Sequence, residues 1–142
     1  MRVQINEKAH GLKIRTLFES FFDDLILTDE NPDMVVDLKT LVHGDNIIEL
    51  PLGDELITIY RYLETLRSSK THWGTLLGVR PLKKVHSLME EGLSKEEIRE
   101  YLDVKIGLQP EKIDLLMETY EVQKDVYHAD RDKLSLFISI PF

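Results

Sequence analysis

The chain has 142 residues, of which 42% are hydrophobic and 31% charged, and its formal net charge is −8. This composition is typical of a folded globular protein with one domain or two small ones, and it excludes a disordered chain. The absence of cysteine excludes disulfides, thiol nucleophiles and thiolate-held iron–sulfur clusters within these residues.

Charge and hydropathy also limit the partners that we expect. An excess of acidic side chains argues against nucleic-acid binding, which gains most of its affinity from Lys and Arg on phosphates. No apolar run approaches the roughly 20 residues that span a bilayer. We therefore expect a cytoplasmic protein with no nucleic-acid partner and no membrane partner.

The first 72 residues predict a small α/β subdomain. Alternation over residues 2–6 indicates a strand, and apolar spacing over about 10–24 indicates an amphipathic helix. Strand candidates follow at 34–38 and 46–50, and His43, Gly44 and Asp45 between them suggest a hairpin. A second helix is predicted over about 55–69, with Gly53 or Asp54 as its N-cap. These elements predict a mixed sheet of three or four strands with two helices on one face.

Residues 73–128 predict a helical subdomain, after a polar stretch at 68–71 that we take as the boundary. Pro81 begins a helix that runs to about residue 91, and Gly92 follows as its C′ residue. Ser94 and Glu97 form a capping box for the next helix, and Pro110 begins a third. The predicted fold class is α+β, with residues 129–142 as a connector and a last strand.

The last nine residues, 134–142 (LSLFISIPF), are the most apolar strand candidate of the chain. Chain ends are usually polar and lie on the surface. We therefore expect that the chain is a cut piece and that this strand belongs to a domain continuing past residue 142. The alternative is a C-terminal strand that pairs within the chain's own sheet.

Two segments resemble a known enzyme family. Residues 136–142 (LFISIPF) resemble the first barrel strand of radical SAM enzymes of the oxygen-independent coproporphyrinogen III oxidase type. In that family the strand leads into a C-x3-C-x2-C loop. Residues 73–86 (WGTLLGVRPLKKVH) resemble the WG-L-GVRP-K-H segment of the coproporphyrinogen dehydrogenase branch called HemZ. The helical stretch to about residue 126 is also similar to that branch, whereas residues 1–72 fit only in the order of their elements.

The resemblance implies a parent enzyme of haem biosynthesis. Such an enzyme cleaves S-adenosylmethionine at a [4Fe-4S] cluster and oxidatively decarboxylates the propionates of coproporphyrinogen III. Because this chain lacks cysteine, it cannot hold that cluster, and we expect no catalytic activity from it alone. We also expect no catalytic, cofactor-binding or metal-binding residue in it. Its role would be that of a non-catalytic N-terminal accessory domain, truncated just before the cluster loop. Its expected partner is the radical SAM barrel of the same polypeptide, and a homodimer is left open.

Three other functions fit the sequence as well. Residues 1–72 could be an RNA-binding module that guides a tRNA-modifying enzyme, although the acidic balance argues against it. The chain could be purely an interaction or dimerisation module. The parent could also be a radical SAM paralogue that acts on a different substrate.

One group of residues has a pattern that fits ligand binding. Three cations lie within five residues at a predicted helix start, and the group consists of Gly78, Arg80, Pro81, Lys83 and Lys84. Backbone N–H groups at a helix start favour anions, so this corner could meet a carboxylate. The alternative, which we favour, is that Arg80 ties the segment to nearby carbonyls or to an acid. None of the five histidines has another at i+3 or i+4, so no helical metal pair is predicted.

Overall fold

The computed structural model of the chain describes residues 1–6, 11–68 and 71–124. Within these ranges it has five strands and five helices, which confirms the α+β class. The strands are β1 (Arg2–Ile5), β2 (Ile26–Leu27), β3 (Met34–Val36), β4 (Thr40–His43) and β5 (Asn46–Glu49). The helices are α1 (Gly11–Glu19), α2 (Glu55–Arg67), α3 (Pro81–Glu90), α4 (Lys95–Val104) and α5 (Pro110–Gln123).

The five strands form one mixed sheet in the order β2-β1-β3-β4-β5. Strand β1 pairs parallel with both β2 and β3. Helix α1 carries the chain back between β1 and β2, so that these two strands run in the same direction. Strands β3, β4 and β5 form antiparallel neighbours. The sheet thus has five strands, whereas the sequence predicted three or four.

The predicted turn is present, but it joins a different pair of strands from the pair expected. A turn at Gly44 and Asp45 is present, and Gly44 has the positive φ of 58° that favours glycine. However, β5 pairs with β4, and the predicted pairing of 46–50 with 34–38 is wrong. The chain reverses once already after β3, where the backbone N–H of Asp37 donates to the carbonyl of Thr40 at 2.8 Å. His43 belongs to β4 and is not part of the turn.

Helix α1 ends at Glu19, five residues before the predicted end at residue 24. The Ser20 hydroxyl donates to the carbonyl of Leu17 at 2.6 Å, which competes with continuation of the helix. Phe21 and Phe22 nevertheless remain buried in the turn that follows. The predicted helix start at residue 10 lies outside the described residues.

Two hydrophobic clusters form the interior of the described chain. The first packs α1 and α2 on one face of the sheet and is made of Val3, Ile14, Leu17, Phe18, Phe21, Phe22, Met34, Val36, Leu41, Leu50, Ile57, Ile59, Tyr60 and Leu63. The second joins α3, α4 and α5 and is made of Val85, Leu88, Ile98, Leu102, Leu108, Ile113, Leu116 and Met117. The division at residues 72 and 128 stays a prediction. The predicted strand at 134–142 lies outside the described residues.

The helix ends follow the sequence signals, although the N-cap of α2 lacks its side-chain bond. Pro81 and Pro110 are the first residues of α3 and α5, and Gly92 follows α3 with a φ of 91°. Asp54 is the N-cap residue of α2, as one of the two predicted candidates, but its side chain makes no capping bond. Its Oδ2 instead accepts from Lys105 Nζ at 2.8 Å. No helix of the described ranges is long and apolar enough to cross a membrane.

The predicted capping box of α4 is present in full. Ser94 Oγ accepts from the Glu97 backbone N–H at 3.3 Å, and Glu97 Oε2 accepts from the Ser94 N–H at 2.8 Å. The Ser94 donors lower the pKa of Glu97 below its usual 4.5. The ionised carboxylate therefore stabilises the fold above pH 4.5, and this stabilisation is lost as pH falls through the lowered pKa.

We expect Ser94→Ala to lower the free energy of unfolding by about 1 kcal/mol at neutral pH. The difference from wild type should shrink below pH 4, because protonated Glu97 is a poorer acceptor. Urea denaturation at several pH values measures both effects. A difference that stays constant from pH 7 to pH 3 would contradict the role given to the Glu97 carboxylate.

Candidate functional site

The predicted basic corner lies on the surface at the start of α3. Arg80 is the N-cap residue of that helix, with an extended backbone and no capping bond from its side chain. Gly78 precedes it with a φ of 66°, and Pro81 fills the first helical position. The Arg80 guanidinium has no hydrogen-bond or ion-pair partner among the described residues. The predicted bond of Arg80 to nearby carbonyls or to an acidic residue therefore does not form within this part of the chain.

The cations of the corner do not converge on one point. Lys84 Nζ lies 4.9 Å from the centre of the Tyr101 ring, so it is engaged in a cation–π contact with α4. Lys83 and Arg80 are exposed. The structure therefore brings Gly78, Arg80, Pro81, Lys83 and Lys84 together only as neighbours in sequence, and an anion site at this corner stays a prediction.

The segment just before the corner has a clearer structural role. Trp73 and Leu76 pack against the cluster of α3, α4 and α5, whereas Leu77 packs against the cluster of the sheet. The backbone N–H of Thr75 donates to the carbonyl of Ile106 at 2.8 Å, and its hydroxyl donates to the same carbonyl at 3.1 Å. The WGTLL part of residues 73–86 thus joins the two cores.

Two glycines allow the close approach that this junction needs. A Cβ on Gly74 would lie 2.1 Å from the carbonyl oxygen of Ile106, and Gly74 has a φ of 52°. A Cβ on Gly107 would lie 2.7 Å from Cε1 of Tyr60. Neither position has room for a side chain, so the spacing between α2, the 73–77 segment and the end of α4 depends on both glycines.

Helix α2 contacts the end of α4 through polar groups as well. Arg61 Nη2 donates to the carbonyl of Asp103 at 3.0 Å, and Arg61 Nη1 pairs with Glu64 Oε2 at 3.1 Å. The Tyr60 hydroxyl donates to the carbonyl of Thr71 at 3.3 Å. Burial raises the pKa of Tyr60 above 10.0, the Thr71 side chain opposes the rise, and the neighbouring Glu64 adds to it. This polar seam holds α2 against the helical part of the chain.

The described histidines have ordinary structural partners. His43 Nδ1 lies 2.8 Å from the Tyr62 hydroxyl, and His72 Nδ1 lies 2.9 Å from Gln109 Oε1. His86 packs against the ring of Tyr120 with 4.9 Å between ring centres. In the described ranges no group of three or more His, Asp or Glu residues could hold a metal ion. His10 and His128 lie outside those ranges.

The open face of the sheet was not predicted from the sequence. One row of paired residues crosses four strands of this face: Gln4, Val35, Val42 and Ile47. The helices pack on the opposite face of the sheet. Ile26 of β2 lies on the same face, because it pairs with Arg2. Arg2 is two residues before Gln4, and alternate residues of a strand share a face. Ile47 is 71% exposed and Ile26 is 56% exposed. Alternation in the five strands would have revealed the face, but two of the strands were not predicted.

Part of the chain is similar to a known protein. The chain is 34% identical over 90 residues to the "Oxygen-independent coproporphyrinogen-III oxidase-like protein HemZ" of Bacillus subtilis (strain 168). The match takes in 58% of this chain but only 18% of that relative. No family model matches the chain, and neither does any solved structure. Over more than half of its length, the chain is therefore similar to a coproporphyrinogen-III oxidase-like protein, of which it spans less than a fifth.

Proposed function

We propose that this chain is the non-catalytic N-terminal accessory part of an oxygen-independent coproporphyrinogen III oxidase-like enzyme of haem biosynthesis. The similarity to HemZ over 90 residues is the observation on which the proposal rests. The proposal requires that the natural polypeptide continue past Phe142 into a radical SAM barrel with a C-x3-C-x2-C loop. The [4Fe-4S] cluster and S-adenosylmethionine would then be held outside these 142 residues, which contain no cysteine.

The chemistry of the described residues supports an accessory role. The cations at 80–84 do not converge on a site, since Lys84 contacts the ring of Tyr101. The described histidines contact Tyr62, Gln109 and Tyr120. The close contacts at Gly74 and Gly107 set the distance between the two cores, and neither glycine has a reactive side chain. A unit of this kind can position or shield a catalytic part without reacting itself.

The open face of the sheet is the surface by which we propose that this unit packs on the barrel. A sheet face that remains in water usually has polar residues at alternate positions. Here the row from Val35 through Val42 to Ile47 is apolar across three adjacent strands. Burying such a row against another protein surface would stabilise the contact, since each buried aliphatic side chain contributes about 1.5–3 kcal/mol.

This packing can be tested in the natural full-length polypeptide with Ile47→Lys. We expect product formation to fall about tenfold, while the unfolding free energy of the 142-residue chain changes by less than about 0.5 kcal/mol. Val122→Lys is the matched control, because Val122 is 75% exposed on α5, away from the sheet. Full activity of the Ile47 variant, or equal losses in both variants, would contradict packing through the open face.

The alternatives have separate checks. A mobility-shift titration with tRNA tests the RNA-binding module, and salt-dependent binding by the 142-residue chain would favour it. Light scattering tests a dimerisation module. A full-length enzyme that cleaves S-adenosylmethionine but leaves coproporphyrinogen III unchanged would indicate a paralogue with another substrate.

A further inference from the structure

A groove of about 810 Å³ lies at one end of the sheet, where β4 begins and β5 ends. Two turns form most of it: the turn after β3 supplies Asp37, Leu38 and Lys39, and the segment after β5 supplies Leu50, Pro51 and Leu52. Ile14 of α1 contributes to the lining from the helix layer. The volume is in the range of sites that take ligands or peptide side chains.

Two leucines at the turns of this groove are unusually exposed. Leu52 is 98% exposed and Leu38 is 62% exposed. Turns generally use Gly, Asn, Asp, Ser or Pro, whose backbone preferences make the bend, and leucine brings no such advantage. The first turn is already closed by the Asp37 N–H bond to Thr40, and the second contains Pro51 and Gly53. The two leucines therefore contribute apolar surface to the groove and not turn formation.

The charges around the groove are mostly negative. Three carboxylates, those of Asp37, Glu49 and Glu55, line it together with the single ammonium of Lys39. Asp37 Oδ1 accepts from the Leu38 N–H at 2.8 Å, and Glu55 Oε2 accepts from the Gly53 N–H at 2.9 Å. These backbone bonds orient the carboxylates of Asp37 and Glu55 and bring no opposite charge to them. None of the four groups forms an ion pair with another residue of the described ranges.

We propose that this groove binds an apolar peptide segment flanked by lysine or arginine. Leu38 and Leu52 would contact apolar side chains of the segment, and the three carboxylates would attract its basic flanks. An anionic lipid surface or an acid-flanked peptide would be repelled by the same carboxylates. A second copy of this chain is disfavoured as well, because its net charge of −8 opposes association with an acidic groove. The proposal does not depend on the enzyme assignment.

The test uses the 142-residue chain and two labelled synthetic peptides. Both have the same leucine core, and one has lysine at both ends while the other has glutamate. By fluorescence anisotropy at low salt, we expect the lysine-flanked peptide to bind at least about tenfold more tightly, and added salt to reduce this difference. Equal affinity for the two peptides, or binding of neither, would overturn the proposal.

Two variants separate the apolar and the charged contributions. Leu38→Ser combined with Leu52→Ser should weaken the lysine-flanked peptide about tenfold, and Glu49→Gln should weaken it about threefold. Both changes lie at exposed positions, so circular dichroism and thermal unfolding should stay as in the wild type. Leu115→Ser, at a position on α5 that is 48% exposed, is the control and should bind normally.

The remaining outcomes also decide the proposal. A double leucine variant that binds as well as wild type would overturn it, because the groove would then not be the site. Concentration-dependent dimerisation that is lost in the double leucine variant would show a second copy as the occupant, which also overturns it.

Discussion

Replacing Gly74 with alanine is expected to lower the free energy of unfolding by about 3 kcal/mol or more. The new Cβ would lie 2.1 Å from the carbonyl oxygen of Ile106 and 2.6 Å from the carbonyl carbon of Gly107, so backbone must move. Forced overpacking costs about 1–3 kcal/mol, and a left-handed backbone costs a non-glycine residue about 1–2 kcal/mol more. Denaturation by guanidinium chloride measures the loss.

Gly44→Ala is the matched control for the effect of backbone alone. Gly44 has a φ of 58°, close to the 52° of Gly74, but a Cβ there would have no atom within 4 Å. We expect a loss of about 1 kcal/mol at this position. If the two variants were equally stable, the close approach of the 73–77 segment to the end of α4 would be wrong.

Truncation of Tyr60 to alanine should have the second large effect, a loss of about 3–5 kcal/mol. The ring is fully buried in the core of the sheet, packs edge-on against Phe21 at 5.7 Å between ring centres, and lies against Gly107. Its removal leaves a cavity at the place where the two cores meet. Chemical denaturation of Tyr60→Ala checks the magnitude, and a loss below about 1 kcal/mol would contradict the burial of the ring.

Tyr60→Phe isolates the hydroxyl, which donates to the carbonyl of Thr71. We expect a loss of about 1 kcal/mol near neutral pH. Because burial raises the pKa of Tyr60 above 10.0, the folded state keeps its proton longer than the unfolded state does. The contribution of the protonated Tyr60 hydroxyl to folding stability is fully present below pH 10, and it is lost as pH rises through the raised pKa. Wild type should therefore lose stability more steeply above pH 10 than Tyr60→Phe, as thermal unfolding across that range would show.

The local signals in the sequence predicted the helices better than the sheet. Apolar spacing and the end signals of Pro81, Gly92, Ser94 and Pro110 act within one turn of helix, so they can be recognised without the rest of the fold. Strand β2 has only two residues, and both are exposed, so no alternation marks it. Strand β4 was hidden because 34–38 and 46–50 offered an equally plausible hairpin around Gly44.

The surfaces of the molecule depend on tertiary contacts, and the sequence could not supply them. Gly74 contacts Ile106 and Gly107, more than thirty residues away, so its need for glycine appears only after folding. The groove combines residues after β3 with residues after β5, and the missed strand β4 lies between them. One signal was present: Leu38 and Leu52 stand in turns where polar residues are usual. The cations at 80–84 were conspicuous in sequence, yet the fold sends Lys84 to the ring of Tyr101.

The most direct test of the proposed function is an anaerobic assay of the natural full-length polypeptide with coproporphyrinogen III, S-adenosylmethionine and a reductant. We predict oxidative decarboxylation of the substrate by the full-length protein and no reaction without S-adenosylmethionine. With the 142-residue chain alone we predict neither iron–sulfur absorbance nor product. A natural polypeptide that has no C-x3-C-x2-C after Phe142, or one that reconstitutes a cluster but leaves coproporphyrinogen III unchanged, would contradict the proposed function.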